Sequence, residues 1–89
     1  MAELTSSFGV ALRQLRRHKG WSQEALAAHA NLNRGYVGDL ERNLAIPSLG
    51  TLEKLAAALD CKPSSLIEHV EDVAGLRQRR GLQLSAIAG

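Results

Sequence analysis

Apolar residues recur at helical spacing in five blocks, separated by short polar or glycine-marked breaks. Phe8, Ala11, Leu12 and Leu15 stand at i, i+3, i+4 and i+7 and predict an amphipathic helix from about Ser7 to His18. Residues 1–6 before it read as frayed, with Thr5, Ser6 and Ser7 available as caps. Arg13, Arg16, Arg17 and Lys19 gather in its last turns, where the helix dipole favours cations, and Gly20 is the stop. Ser22 caps a second helix with Ala25, Leu26 and Ala30 as its apolar positions and Ala27 and Ala28 small enough for close approach. The run Asn31-Leu32-Asn33 breaks the pattern: Asn31 tolerates a left-handed exit, Leu32 plugs the turn and Asn33 caps a third helix. Val37 and Leu40 form the buried side of that helix, predicted over about residues 33–43. An extended loop follows, Leu44-Ala45-Ile46-Pro47, in which Pro47 disfavours helix at Ile46. Ser48 caps a fourth helix, about Leu49 to Leu59, with Leu49, Leu52, Leu55, Ala56 and Leu59 as a clean stripe. After the link Asp60-Cys61-Lys62, Pro63 opens a fifth helix that offers Leu66, Ile67 and Val70 and ends near Asp72. The expected fold is all-α, a five-helix domain over residues 1–72, with 73–89 as a basic then apolar extension read as a short sixth helix and a tail.

Two short helices joined by a tight turn, the second with an exposed polar side, make a helix-turn-helix pattern whose second helix can lie in the major groove of DNA. The stretch resembles the helix-turn-helix of the lambda-repressor-like family, also called Cro/C1-type or XRE. The matching residues are Ser22-Gln23-Glu24, Leu26-Ala27, Arg34, Tyr36-Val37, Leu40-Glu41-Arg42, Ile46-Pro47-Ser48-Leu49, Thr51-Leu52, Lys54-Leu55-Ala56 and Ala58-Leu59. They span roughly residues 8–70, most of the chain. The family often has Gly where Asn31 and Asn43 stand, and Ser or Thr where Gly35 and Gly38 stand.

Composition narrows the picture. Eighty-nine residues suit one small core. With only Phe8, Trp21 and Tyr36 aromatic, that core must be aliphatic, and Trp21 is expected to pack beside its turn. A lone cysteine excludes an internal disulfide, and Cys61 reads as a small buried hydrophobe. No run of membrane-spanning length and no signal peptide is seen, so a cytoplasmic location, nucleoid-associated when bound to DNA, is expected. Charge is unevenly placed: residues 1–43 hold six Lys/Arg against four Asp/Glu, residues 44–72 hold two against five, and residues 73–89 hold three Arg and no acid. A basic front and an acidic back suit one face that meets phosphates.

Asn33, Arg34, Gly35, Gly38 and Asp39 lie away from the Val37/Leu40 side of helix 3 and are the candidate base contacts. The planar fork of Arg34 fits the O6/N7 edge of guanine. Asp39 either accepts from cytosine N4 or orients Arg34. Gly35 and Gly38 each cost about 1 kcal/mol against Ala in a helix. They reflect either tolerance on an exposed face or close approach of the backbone to DNA. Ser22 and Gln23 open helix 2, where N–H groups and an amide can grip a phosphate. Arg42 and Asn43 reach toward the same backbone, Asn43 being equally a left-handed exit, and Tyr36 is divided between core and phosphate contact. The resemblance further implies that Arg16 pairs with Glu41 and can bridge it to a phosphate through its five donors.

Against an enzyme, His18, His29 and His69 are isolated, no metal-ligand spacing occurs and no glycine-rich phosphate loop is present; no cofactor, small-molecule ligand or membrane partner is expected. The resemblance implies a sequence-specific regulator that binds double-stranded DNA as a homodimer on a near-palindromic operator. Leu66, Ile67 and Val70 are the expected dimer surface, extended by Val73, Leu76, Leu82, Leu84 and Ile87; Arg77, Arg79 and Arg80 either ring it or touch DNA. The alternative is a protein-interaction module of the same fold, an antitoxin or adaptor.

Overall fold

The computed structural model describes residues 3–76, so the expected sixth helix and tail lie outside the described residues. Five helices form: α1 (Glu3–His18), α2 (Gln23–Ala30), α3 (Arg34–Glu41), α4 (Leu49–Ala58) and α5 (Pro63–Ala74). Three helices start as their caps dictate. Ser22 Oγ accepts the Ala25 N–H at 3.0 Å, Asn33 Oδ1 that of Tyr36 at 3.3 Å, and Ser48 Oγ that of Thr51 at 3.1 Å. Pro63 opens α5. Two boundaries differ from expectation. α1 starts at Glu3 rather than Ser7, with Ser6 Oγ donating back to the Glu3 carbonyl instead of capping. α5 runs past Asp72 to Ala74.

One device closes all five helices. Each ends in a residue with positive φ: Gly20, Asn31, Asn43, Asp60 and Gly75. The next N–H then reaches back to the carbonyl five residues earlier, Trp21 to Arg16, Leu32 to Ala27, Leu44 to Asp39, Cys61 to Ala56 and Leu76 to Glu71, at 2.8–3.2 Å. These 6→1 bonds satisfy carbonyls the helix itself leaves unpaired. Asp60, read as part of a link, is the α4 stop.

α1 packs on α3 and α5, α2 on α3 and α4, and α4 on α5. Their common core is Phe8, Ala11, Leu12, Leu26, Ala27, Ala30, Val37, Leu40, Leu52, Leu55, Ala56, Leu59, Leu66 and Val70. Leu66 and Val70, expected at a dimer surface, are 1% and 0% exposed and belong to this core; of that trio only Ile67 reaches the surface. Leu49, placed in the α4 stripe, is instead 81% exposed. Trp21 packs on the core edge and stacks on the His29 ring, centroids 4.1 Å apart.

α1 and α3 touch backbone to backbone at Gly9. A Cβ there would collide with the Glu41 carbonyl and sit 2.9 Å from Asn43 Oδ1. Asn43 exploits the same closeness. Its Oδ1 accepts the Gly9 N–H at 3.0 Å and its Nδ2 donates to the Ser6 carbonyl at 2.9 Å. Gly9→Ala is therefore expected to lower unfolding free energy by about 1–3 kcal/mol through overpacking, despite the better helix propensity of Ala. Urea denaturation of both proteins checks this, and an equal or higher midpoint would show that the helices can part without cost.

Candidate nucleic-acid interface

The centre of the site is a carboxylate. Glu41 ends α3 with its side chain 0% exposed, and Arg16 of α1 reaches it with two near-parallel bonds, Nε to Oε2 at 2.6 Å and Nη2 to Oε1 at 3.0 Å. Arg16 also donates from Nη1 to the Trp21 carbonyl at 2.8 Å, which ties the α1–α2 turn to the pair. Gln23, first residue of α2, donates from Nε2 to Glu41 Oε1 at 3.0 Å, and Arg13 adds a longer contact of 3.6 Å. Burial by itself would raise the Glu41 carboxyl, but the bonds from Arg16 and Gln23 and the charges of Arg16 and Arg13 outweigh it and hold it below its ordinary range. The bond to Glu41 likewise raises Arg16. The pair implied by the resemblance is thus present. Bridging onward to a phosphate has less room than expected, since three of the five Arg16 donors are taken and its side chain is 11% exposed.

Around this centre the candidate residues separate into groups. Arg34 stands exposed on the first turn of α3, and nothing among the described residues pairs with it. Asn33 spends its side-chain oxygen on the cap. Gly35 is exposed, and a Cβ there would meet that cap oxygen at 3.0 Å. Gly38 corrects the expectation: it is buried, and a Cβ would have Arg42 Nη1 at 3.4 Å and Gln23 Oε1 at 3.5 Å. It makes room beneath two long side chains and does not stand free toward a partner. Asp39 does not orient Arg34; its Oδ1 accepts from Arg42 Nη2 at 2.8 Å. Tyr36 is half-buried with its hydroxyl 3.1 Å from Thr51 Oγ1, which also receives the Ser48 hydroxyl, so Tyr36 ties α3 to α4. Asn43 has both side-chain polar atoms bonded to α1 backbone, which makes it a brace between the end of α3 and α1. Ser22 is exposed with its oxygen on the α2 cap. The first-turn N–H groups of Gln23 and Glu24 precede the first intrahelical bond and point out at the positive end of the dipole. One feature was missed from sequence: the Gln23–Glu41 bond, which joins the opening of α2 to the end of α3. The Ser22-Gln23 pair and Glu41 were each visible, but their distance of contact depends on the angle between the two helices.

Among the described residues no helix is long and apolar enough to cross a membrane, and no group of three His, Cys, Asp or Glu could hold a metal.

Comparison with known proteins agrees with this geometry. The helix-turn-helix family model matches residues 12–66. The immunity repressor protein of Bacillus phage phi105 is 39% identical over 59 residues, 66% of this chain but 41% of that protein, so the chain spans about two fifths of its length. The restriction-modification controller protein C.AhdI from Aeromonas hydrophila superposes with a TM-score of 0.68 at 48% identity, over 74% of this chain and 98% of that one. The biofilm master regulator SinR, solved in complex with DNA, superposes with a TM-score of 0.63 at 38% identity, over 67% of this chain and 97% of that one.

The ion pair makes a pH prediction with a definite sign. Because the folded-state carboxyl of Glu41 lies below its ordinary range, its stabilisation is complete above the unfolded-state value and is lost as pH falls through the folded-state value. Arg16→Met is expected to cost about 3–5 kcal/mol at neutral pH by stranding a buried carboxylate. The gap to the parent protein should narrow on acidification, as the stranded carboxyl takes up its proton. Thermal denaturation from pH 7 to pH 3 measures both; a gap independent of pH would count against the pair as the origin.

Proposed function

The chain belongs to the helix-turn-helix family with the lambda-repressor-like fold, and from that premise we propose that it binds double-stranded DNA as a transcriptional regulator, with α3 in the major groove. What supports this is the exposed first turn of α3, where Arg34 is unpaired among the described residues, on a helix whose other end is locked through Glu41 to the Gln23 amide at the opening of α2. Arg34 reads guanine. The α2 N-terminus, with the Gln23 amide, takes a phosphate, and Arg42 a neighbouring one. The relatives' names fit: an immunity repressor, a controller protein, and a regulator solved on DNA. No catalytic group is assigned. The DNA-binding unit of this proposal ends at the α5 cap, Gly75, with the remaining residues as its extension.

One recognition helix covers too few base pairs for a unique address, so the working form is a homodimer reading half-sites about one helical turn apart. Its surface is moved from the expected Leu66 and Val70 to the neighbouring apolar face. Leu44, Ile46 and Leu49 stand 71%, 75% and 81% exposed. Beside them an apolar hollow of about 380 Å³ is lined by Leu4, Phe8, Ile46, Leu52, Ile67 and Val70. Protruding side chains next to a hollow on one patch suit a two-fold interface, in which each copy offers both.

Three experiments test this reading. Arg34→Ala should cost about 1–3 kcal/mol on a selected duplex and far less on random duplex. Wild-type binding should fall steeply with salt, whereas salt-insensitive capture of a protein would favour the interaction-module alternative. Leu49→Glu occupies the exposed first position of α4, where the dipole favours a carboxylate, so the fold should hold while the dimer is lost. Sedimentation at micromolar concentration should show a dimeric parent and a monomeric variant; a dimer that survives the substitution places the interface elsewhere.

A further inference from the structure

Asp39 is electrostatically out of place. It stands in the last turn of α3, where the helix dipole disfavours a carboxylate, and on the side of the domain that must approach phosphates. Its bond to Arg42 joins two well-exposed side chains, a kind of pair that stabilises folds little. The position one turn before it, Gly35, carries no side chain that could screen the Asp39 carboxylate from that side. Arg42 fixes one oxygen, and Oδ2 has no partner among the described residues.

Resting on the DNA-binding reading above, we propose that Asp39 is a selector: it sets base preference chiefly by rejecting wrong pairs. An ionised carboxylate only accepts hydrogen bonds. In the major groove guanine presents N7 and O6 and thymine presents O4, all acceptors, and a desolvated carboxylate facing them is repelled. Cytosine presents the N4 amino donor flanked, on its own ring, by the apolar C5 edge, whereas adenine flanks its N6 donor with its own N7 acceptor. The favoured base opposite Oδ2 is therefore cytosine. Arg42 serves as a positioning residue, since its guanidinium holds the carboxylate rotamer and offsets its charge near the phosphates. Specificity is here gained through loss of affinity for competitors.

The test is selection of sites from random duplex DNA, followed by titration of selected and scrambled duplexes, for the parent, Asp39→Ala, Asp39→Asn and Arg42→Ala, each checked for unchanged helicity. Asp39→Ala should bind scrambled duplex as well as or better than the parent, and should lose about tenfold of discrimination at one base pair per half-site while keeping the others. Asp39→Asn should move the preference at that pair toward adenine, whose N6 and N7 match a side-chain amide. Arg42→Ala should weaken all duplexes and blur the same pair. If the parent binds DNA with strong salt dependence and Asp39→Ala leaves every base preference intact, the selector role is wrong and Asp39 serves only to hold Arg42. If the parent shows no salt-dependent DNA binding, the regulator reading fails and takes the selector with it.

Discussion

The mutual placement of α1, α2 and α3 depends on one buried charge. Glu41 is held by Arg16 from α1 and Gln23 from α2 while it terminates α3, so three helices meet at a single carboxylate. An apolar contact at this point would tolerate sliding, because dispersion is non-directional. A bidentate guanidinium–carboxylate pair does not slide, because both bonds fail together when either partner rotates. The angle between α2 and α3, on which the proposed docking of one over a phosphate and the other in a groove rests, is thereby fixed inside the protein before any partner arrives. The Gly9 contact and the Asn43 bracket brace the same α1–α3 seam from the other end.

Local features of the fold were legible in the sequence, and the physical reason is range. Caps at Ser22, Asn33 and Ser48 and stops at Gly20, Asn31 and Asn43 act within three to five residues, so residue type alone announces them. Position relative to other helices was less legible. Val70 and Leu49 both look like members of an apolar stripe, yet one is in the core and the other lies on the surface, because the helix that covers each cannot be seen from its own periodicity. Gly38 shows the same limit. Its place on α3 suggested an outward position, and only the lie of Gln23 and Arg42 across it makes it buried. The Arg16–Glu41 pair was found by resemblance; 25 residues of separation carry no local signal.

The polar side chains divide by whether their bonding is complete. Tyr36, Asn43, Arg16 and Glu41 have their groups engaged within the fold, and no buried side-chain nitrogen or oxygen is left unpaired among the described residues. Arg34 and the free oxygen of Asp39 are incomplete and face outward. Both belong to α3, where an external partner can supply the missing bonds.

The shared manner in which the helices end has a kinetic consequence. Each of the five stops is made by residues no more than five apart, so the chain can mark its own corners before any distant parts meet. The contacts α2–α3 and α4–α5 then close short loops, α1 on α3 and α2 on α4 each close over one intervening helix, and only the return of α1 onto α5 spans the whole domain. Topologies of this kind fold in microseconds to milliseconds. On that timescale the supply of active protein in a cell is governed by translation and turnover, and a change in expression is transmitted without a folding delay.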